Sequence, residues 1–111
     1  MKSIYVFAAL CMLGFSGAAL AGGQVTGAQI TGLYINTGYN MVFISTSQAP
    51  NGSPACSVTA NAFVLPLTST LASQILALIL SARATQTPVS LTGNGLCDTY
   101  SDVETLLTIT Y

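Results

Sequence analysis

Every acidic residue of the chain falls within one short stretch, Thr92 to Leu107, which reads TGNGLCDTYSDVETLL. Asp98, Asp102 and Glu104 stand there beside Cys97, with glycines at 93 and 95. Carboxylates grouped in this way suit three kinds of chemistry. Paired acids cleave glycosidic bonds when held about 5 to 9.5 Å apart, and Asp102 and Glu104 would share a face if a strand already included Asp102. A small single domain offers little room for a substrate cleft, however, and no clamp of other polar residues accompanies the pair. Calcium takes hard oxygen ligands from carboxylates and carbonyls, but D-x-x-x-D-x-E lacks the spacing and the glycine of an EF-hand loop. The third reading, a solvated loop tied down by Cys97, is the one expected here, and no metal is assigned.

Other catalytic systems are excluded by residue type. The chain contains no histidine, so Ser-His-Asp and Cys-His nucleophiles and histidine-bearing zinc sites cannot form. The only basic residues are Lys2 and Arg83. A reactive thiolate needs a cationic neighbour, and phosphate neutralisation needs several, so nucleic-acid binding is excluded as well. The expectation is a protein that is not an enzyme and uses no cofactor.

The N-terminus sets the compartment. Lys2, the apolar run IYVFAALCMLGF and the small-x-small ending Ala19-Leu20-Ala21 have the order of a secretory signal peptide, too short for a spanning helix. Residues 1–21 are therefore read as a signal peptide cleaved after Ala21, and residues 22–111 as one small domain, secreted or periplasmic, with no transmembrane segment left after removal. That domain retains two cysteines, Cys56 and Cys97, and an even count in a secreted chain reads as a disulfide. Closing a loop of about 40 residues stabilises a fold by roughly 4 kcal/mol on the chain-entropy model, a useful increment for a domain with limited burial.

The elements that position these residues follow from periodicity and turn signals. QVTGAQITGLYIN reads as a strand whose apolar parity changes across Thr31-Gly32, which is the mark of a bulge or bend. A turn at Thr37 to Asn40 leads to a second strand, MVFIS, and a Pro/Asn/Gly/Ser loop delivers Cys56 before a third, SVTANAFVLPL. Ser69 to Ala84 lacks Gly and Pro and is rich in Leu and Ala, which favours helix. Its apolar residues lie on nearly all sides, so either a deep core or a second subunit must cover its outer face. Arg83 suits the negative end of that helix. PVSLTG is a fourth strand, and VETLLTITY a fifth with strict alternation, Val103, Thr105, Leu107, Ile109 and Tyr111 on one side.

This order, β-β-β-α-β-β, is that of a mainly β protein with one helix built as a five-stranded Greek-key OB-fold barrel. Antiparallel parity places the loops bearing Cys56 and Cys97 at the same end. OB barrels bind ligands through the loops after strands one and four, which makes Asn36, Tyr39, Asn40, Asn94, Asp98 and Tyr100 the candidate ligand-binding residues. Tyrosine and asparagine supply stacking surface and paired donors and acceptors suited to sugars; the same asparagines also suit tight turns whatever the function.

SPACSVTANAF, then a helix, then TQTPVSLTG leading to a second glycine- and cysteine-bearing loop, resembles the secreted B subunits of AB5 toxins, particularly the subtilase-cytotoxin and pertussis-like branch. The resemblance spans about Ile30 to Tyr111. It implies an OB-fold subunit that forms a ring, commonly a pentamer, binds cell-surface glycans or glycoprotein receptors and carries a separate catalytic subunit. Two features depart from it: the helix has no aromatic residue, and Phe43 or a neighbour stands near the place of the strand-two cysteine of those subunits. The competing expectation is a small monomeric structural or protein-interaction module of the cell envelope.

Overall fold

A computed structural model describes residues 22–111; the expected signal peptide, residues 1–21, lies outside the described residues. Six strands and one helix follow in the order β1 (Gln24–Ala28), β2 (Ile30–Asn36), β3 (Met41–Thr46), β4 (Ala62–Pro66), α1 (Ala72–Thr85), β5 (Val89–Gly93) and β6 (Leu106–Thr110). They form two three-stranded antiparallel sheets, ordered β1-β5-β6 and β2-β3-β4. The expected closed five-stranded barrel is therefore incorrect.

The correction originates in the first apolar segment. Gly27 takes a positive φ of 64°, a conformation that a β-carbon disfavours, and the pairing with β5 slips between Val25 and Ala28. The segment breaks at Gln29, and its halves join different sheets. A second slip, between Ile30 and Gly32 in the β2–β3 ladder, falls where the apolar parity of the sequence changes. The sheets meet again at one isolated parallel bridge between Val64 and Thr105.

The main core fills the space between the sheets and the helix. Phe63, Ile44, Leu65, Ile79 and Leu91 are all fully buried there. Removing a phenylalanine side chain from such a site typically costs about 3–5 kcal/mol. A smaller cluster of Met41, Ala62, Val64 and Val103 lies apart from it, with Phe43 and Tyr100 packed against it. Strict alternation in the last strand does not hold. Val103, Glu104, Thr105 and Leu106 are buried in succession, whereas Leu107 is 57% exposed. A register slip opposite Thr92 and Gly93 turns Leu107 outward and leaves Leu106 and Ile109 facing the main core.

Cys56 and Cys97 are bonded, with Cα atoms 6.2 Å apart. The bond ties the 47–61 loop to the β5–β6 loop. The same long loop is fastened to β1 by reciprocal backbone hydrogen bonds between Gln24 and Asn51, of 2.8 and 2.7 Å. No helix among the described residues is long and apolar enough to cross a membrane.

Helix α1 starts later than Ser69 because Ser69 to Leu71 form a turn, in which the Ala72 N–H donates to the Ser69 carbonyl. It ends at a left-handed Gln86, φ 53° and ψ 36°. The Thr87 N–H donates to the Ala82 carbonyl and the Gln86 N–H to the Arg83 carbonyl, the paired bonds of a Schellman cap. Glycine is the usual residue at that position, since a left-handed conformation costs other residues roughly 1–2 kcal/mol. Gln86→Gly is accordingly expected to raise the unfolding free energy by up to about 1 kcal/mol after allowance for the freer unfolded chain, measured as a higher urea midpoint at unchanged slope.

Candidate functional site

The outer face of sheet β2-β3-β4 carries the candidate site. In the antiparallel register Tyr34 lies opposite Phe43, and Phe43 opposite Val64, so the three side chains form a row on the face turned away from the main core. The β2–β3 turn projects Tyr39 beside this row. Across from it, the β5–β6 loop supplies Tyr100, and the two tyrosine rings meet edge to face with centroids 5.3 Å apart at 87°. Tyr34 and Tyr39 are each 58% exposed, and Phe43 and Tyr100 are half-buried. The result is an aromatic surface with rings in more than one orientation, free of charged side chains along the Tyr34, Phe43, Val64 row. Such rings present apolar faces for stacking and hydroxyls for hydrogen bonding.

The six residues expected to bind ligand divide between contact and scaffold. Tyr39 and Tyr100, 61 positions apart in the chain, are brought together directly. Asn36 shapes the turn that holds Tyr39: its Oδ1 accepts the N–H groups of Gly38, at 2.8 Å, and Tyr39, at 3.3 Å. Its Nδ2 donates to the Tyr34 hydroxyl at 3.4 Å. Asn40 closes the turn with φ 50°, and its carbonyl accepts the Leu67 N–H. Asn94 shapes the opposite loop, accepting the Leu96 N–H at 2.9 Å. Asp98 accepts the Thr105 hydroxyl at 2.6 Å. Tyr34 and Phe43 join the candidate surface without having been expected there. Their parity in QVTGAQITGLYIN and MVFIS was available, but an all-apolar strand does not show which face is outward.

The carboxylates do not act together, and one of them is not solvated. Glu104, expected in a solvent-exposed loop, is 1% exposed. Its two oxygens accept the Gly23 N–H at 3.0 and 2.9 Å, and Oε2 also accepts the Gly95 N–H at 2.7 Å. A β-carbon at Gly22 or Gly93 would overlap this carboxylate, and one at Gly23 would lie 2.7 Å from Oε1. Only glycine leaves room for a charge buried so close to backbone. Asp98 and Asp102 are exposed, and among the described residues no three His, Cys, Asp or Glu side chains converge. The geometry of a two-carboxylate hydrolase is absent, because Glu104 turns inward while Asp102 lies in an exposed turn.

A separate cleft of about 390 Å³ lies at the bend between β1 and β2, lined by Gln29, Ile30, Thr31, Arg83 and Gln86. Its polar groups are engaged internally: Arg83 Nη1 donates to the Ile30 carbonyl at 2.8 Å, and Gln29 Nε2 to the Gln86 carbonyl at 3.3 Å. Arg83, placed by sequence at the helix end, thus fastens α1 to β2. Compared with family models, with curated proteins and with solved structures, the chain matches none.

The Asp98–Thr105 contact gives the site loop a dependence on acidity. The Thr105 hydroxyl, helped by backbone N–H groups and Asn94, holds the Asp98 carboxyl below its ordinary value of 3.8 against a smaller opposing effect of burial. A lowered folded-state value contributes stability above the unfolded pKa, which is lost as pH falls through the folded one. Solvent at Asp98 keeps the effect small. Thr105→Val, which removes the hydroxyl at nearly constant volume, is expected to lose less stability than the wild type between about pH 5 and pH 2, measured from urea midpoints across that range.

Proposed function

We propose that the protein is a secreted, non-enzymatic binding subunit that recognises a neutral glycan or glycoprotein receptor through the outer face of sheet β2-β3-β4. The observation that carries this reading is the Tyr39–Tyr100 pair, two rings from separate loops held edge to face beside Tyr34 and Phe43. Pyranose rings present flat C–H faces to such side chains, and binding to them needs no protein charge. The domain suits that demand, since residues 22–111 contain one basic and three acidic side chains, one acid of which is buried. The absence of histidine and the divergence of the carboxylates support the non-enzymatic part of the reading.

Self-association through α1 accompanies this reading. At 100° per residue, Leu78 lies on one flank of the helix and Leu80 on the other, 44% and 51% exposed, and Leu71, in the turn before the helix, is 58% exposed. Leu107 on the bulged last strand adds a further exposed apolar group. Ala77, Ser81 and Ala84 lie between those flanks on the outer side, small enough to let a second helix approach closely.

Binding is tested by glycan-array screening of the secreted protein, followed by titration of any hit. Tyr39→Ala is expected to weaken the interaction at least ten-fold, about 1.4 kcal/mol, with the melting temperature changed little because the ring is exposed. Retained affinity in this variant would sink the assignment of the face. Native mass spectrometry of the same protein is expected to give an oligomer that Leu78→Glu dissociates. A monomer at micromolar concentration would instead favour the small interaction-module reading.

A further inference from the structure

Both carboxyl oxygens of Glu104 accept hydrogen bonds, but the groups that donate to them carry no formal charge. A carboxylate at 1% exposure loses most of its hydration, and the charge is costly unless it is paired and hydrogen-bonded. The hydrogen bonds come from backbone, the N–H groups of Gly23 and Gly95. Among the described residues, no basic side chain donates to the carboxylate. The only two basic side chains are Lys2, in the expected signal peptide, and Arg83, whose guanidinium donates to the Ile30 carbonyl at the helix end. Asp98, the other acid of the loop with a defined partner, faces Thr105.

One further cation can be made from the backbone. A β-carbon on Gly22 would overlap both Glu104 Oε2 and the Gly93 carbonyl. The Gly22 nitrogen is two bonds of about 1.5 Å from such a carbon, so it lies within roughly 5 Å of the carboxylate. Gly22 is also the residue that follows Ala19-Leu20-Ala21. Hydrolysis of the Ala21–Gly22 amide consumes one water, leaves a carboxylate on Ala21 and turns the neutral Gly22 N–H into an α-ammonium.

We infer that the Glu104 pocket is a docking site for the α-ammonium of Gly22, completed only when the leader is removed after Ala21. The new N-terminus then forms a buried ion pair with Glu104. It holds the Gly22-Gly23 end of the chain against Gly93, whose N–H donates to the Gly23 carbonyl at 2.8 Å. Three parts of the molecule converge there: the start of β1, the β5–β6 loop and the loop bearing Cys56, whose neighbour Ser57 accepts the Glu104 N–H through Oγ at 3.2 Å. Cleavage thereby couples export to consolidation of the disulfide-bearing end. The glycines at 22, 23 and 93 are the residues that let an ammonium and a carboxylate meet inside backbone.

The inference rests on cleavage after Ala21, which N-terminal sequencing of the secreted protein reads directly; any other first residue overturns it. The mature chain contains no lysine, so its α-amine is the only primary amine, and trace acetylation with acetic anhydride reports on it alone. In the folded protein the amine is expected to react at least ten-fold more slowly than in guanidinium, with a titration midpoint at least one unit above the ordinary value of about 7.7–8.0. Burial without the ion pair would move the midpoint down, so a midpoint at or below the ordinary value overturns the proposal. Retaining one extra alanine before Gly22 is expected to lower the melting temperature of the wild type and to leave that of Glu104→Gln unchanged. If Glu104→Gln does not fold, the reactivity and midpoint of the wild-type amine still decide the matter.

Discussion

The Glu104 carboxylate is the interaction around which one end of the molecule is assembled. It is fully buried and bonded to the backbone of Gly23 and Gly95, and its own backbone joins two more elements. The Glu104 carbonyl accepts the Val64 N–H at 3.0 Å, beside the isolated Val64–Thr105 bridge. Its N–H donates to Ser57, next to the disulfide. One residue thus connects the start of β1, the edge of β4 and both cysteine-bearing loops. Such a group specifies position more strongly than an apolar one, because an unsatisfied buried charge is far more costly than an imperfect hydrophobic contact.

This anchorage bears on the aromatic face. Tyr100 approaches Tyr39 only if the β5–β6 loop folds back over β3 and β4, and the loop is fixed at both ends. Cys97 ties it to Cys56, and the Thr105 N–H, just past Glu104, donates to the Leu96 carbonyl at 2.9 Å. Between these points Tyr100 packs on the cluster of Met41, Ala62, Val64 and Val103. Tyr100 is consequently displayed on a braced loop rather than a free one, which would lower the entropy lost in the binding proposed for this face.

Much of the local structure was legible. The helix, the turn at Thr37 to Asn40, the third, fourth and fifth apolar stretches and the bulge near Gly32 each follow from patterns within about ten residues, where backbone periodicity dominates. The helix ran a turn shorter at its start because nothing in STLASQ supplies a side-chain cap. The barrel was a misreading of one segment. QVTGAQITGLYIN looks like a bent strand, and whether its halves stay in one sheet depends on partners more than 10 residues away, Thr46 for Ile30 and Leu91 for Val25. The alternation of VETLLTITY misled for the same reason: a bulge is set by the opposing strand, here at Thr92 and Gly93, and moves every later side chain to the other face.

Residue types alone set which side-chain chemistry is missing and which linkage is unique. Without histidine there is no imidazole, and with two cysteines in residues 22–111 only one intrachain disulfide can form. Which of three neighbouring acids is buried, and which two of the four tyrosines among the described residues meet, depends on the tertiary structure. Glu104 and Gly23 stand 81 positions apart, and nothing within either local stretch encodes the other. Residue type sets what a side chain can do, whereas desolvation and proximity, which decide what it does, exist only once distant segments have closed on one another.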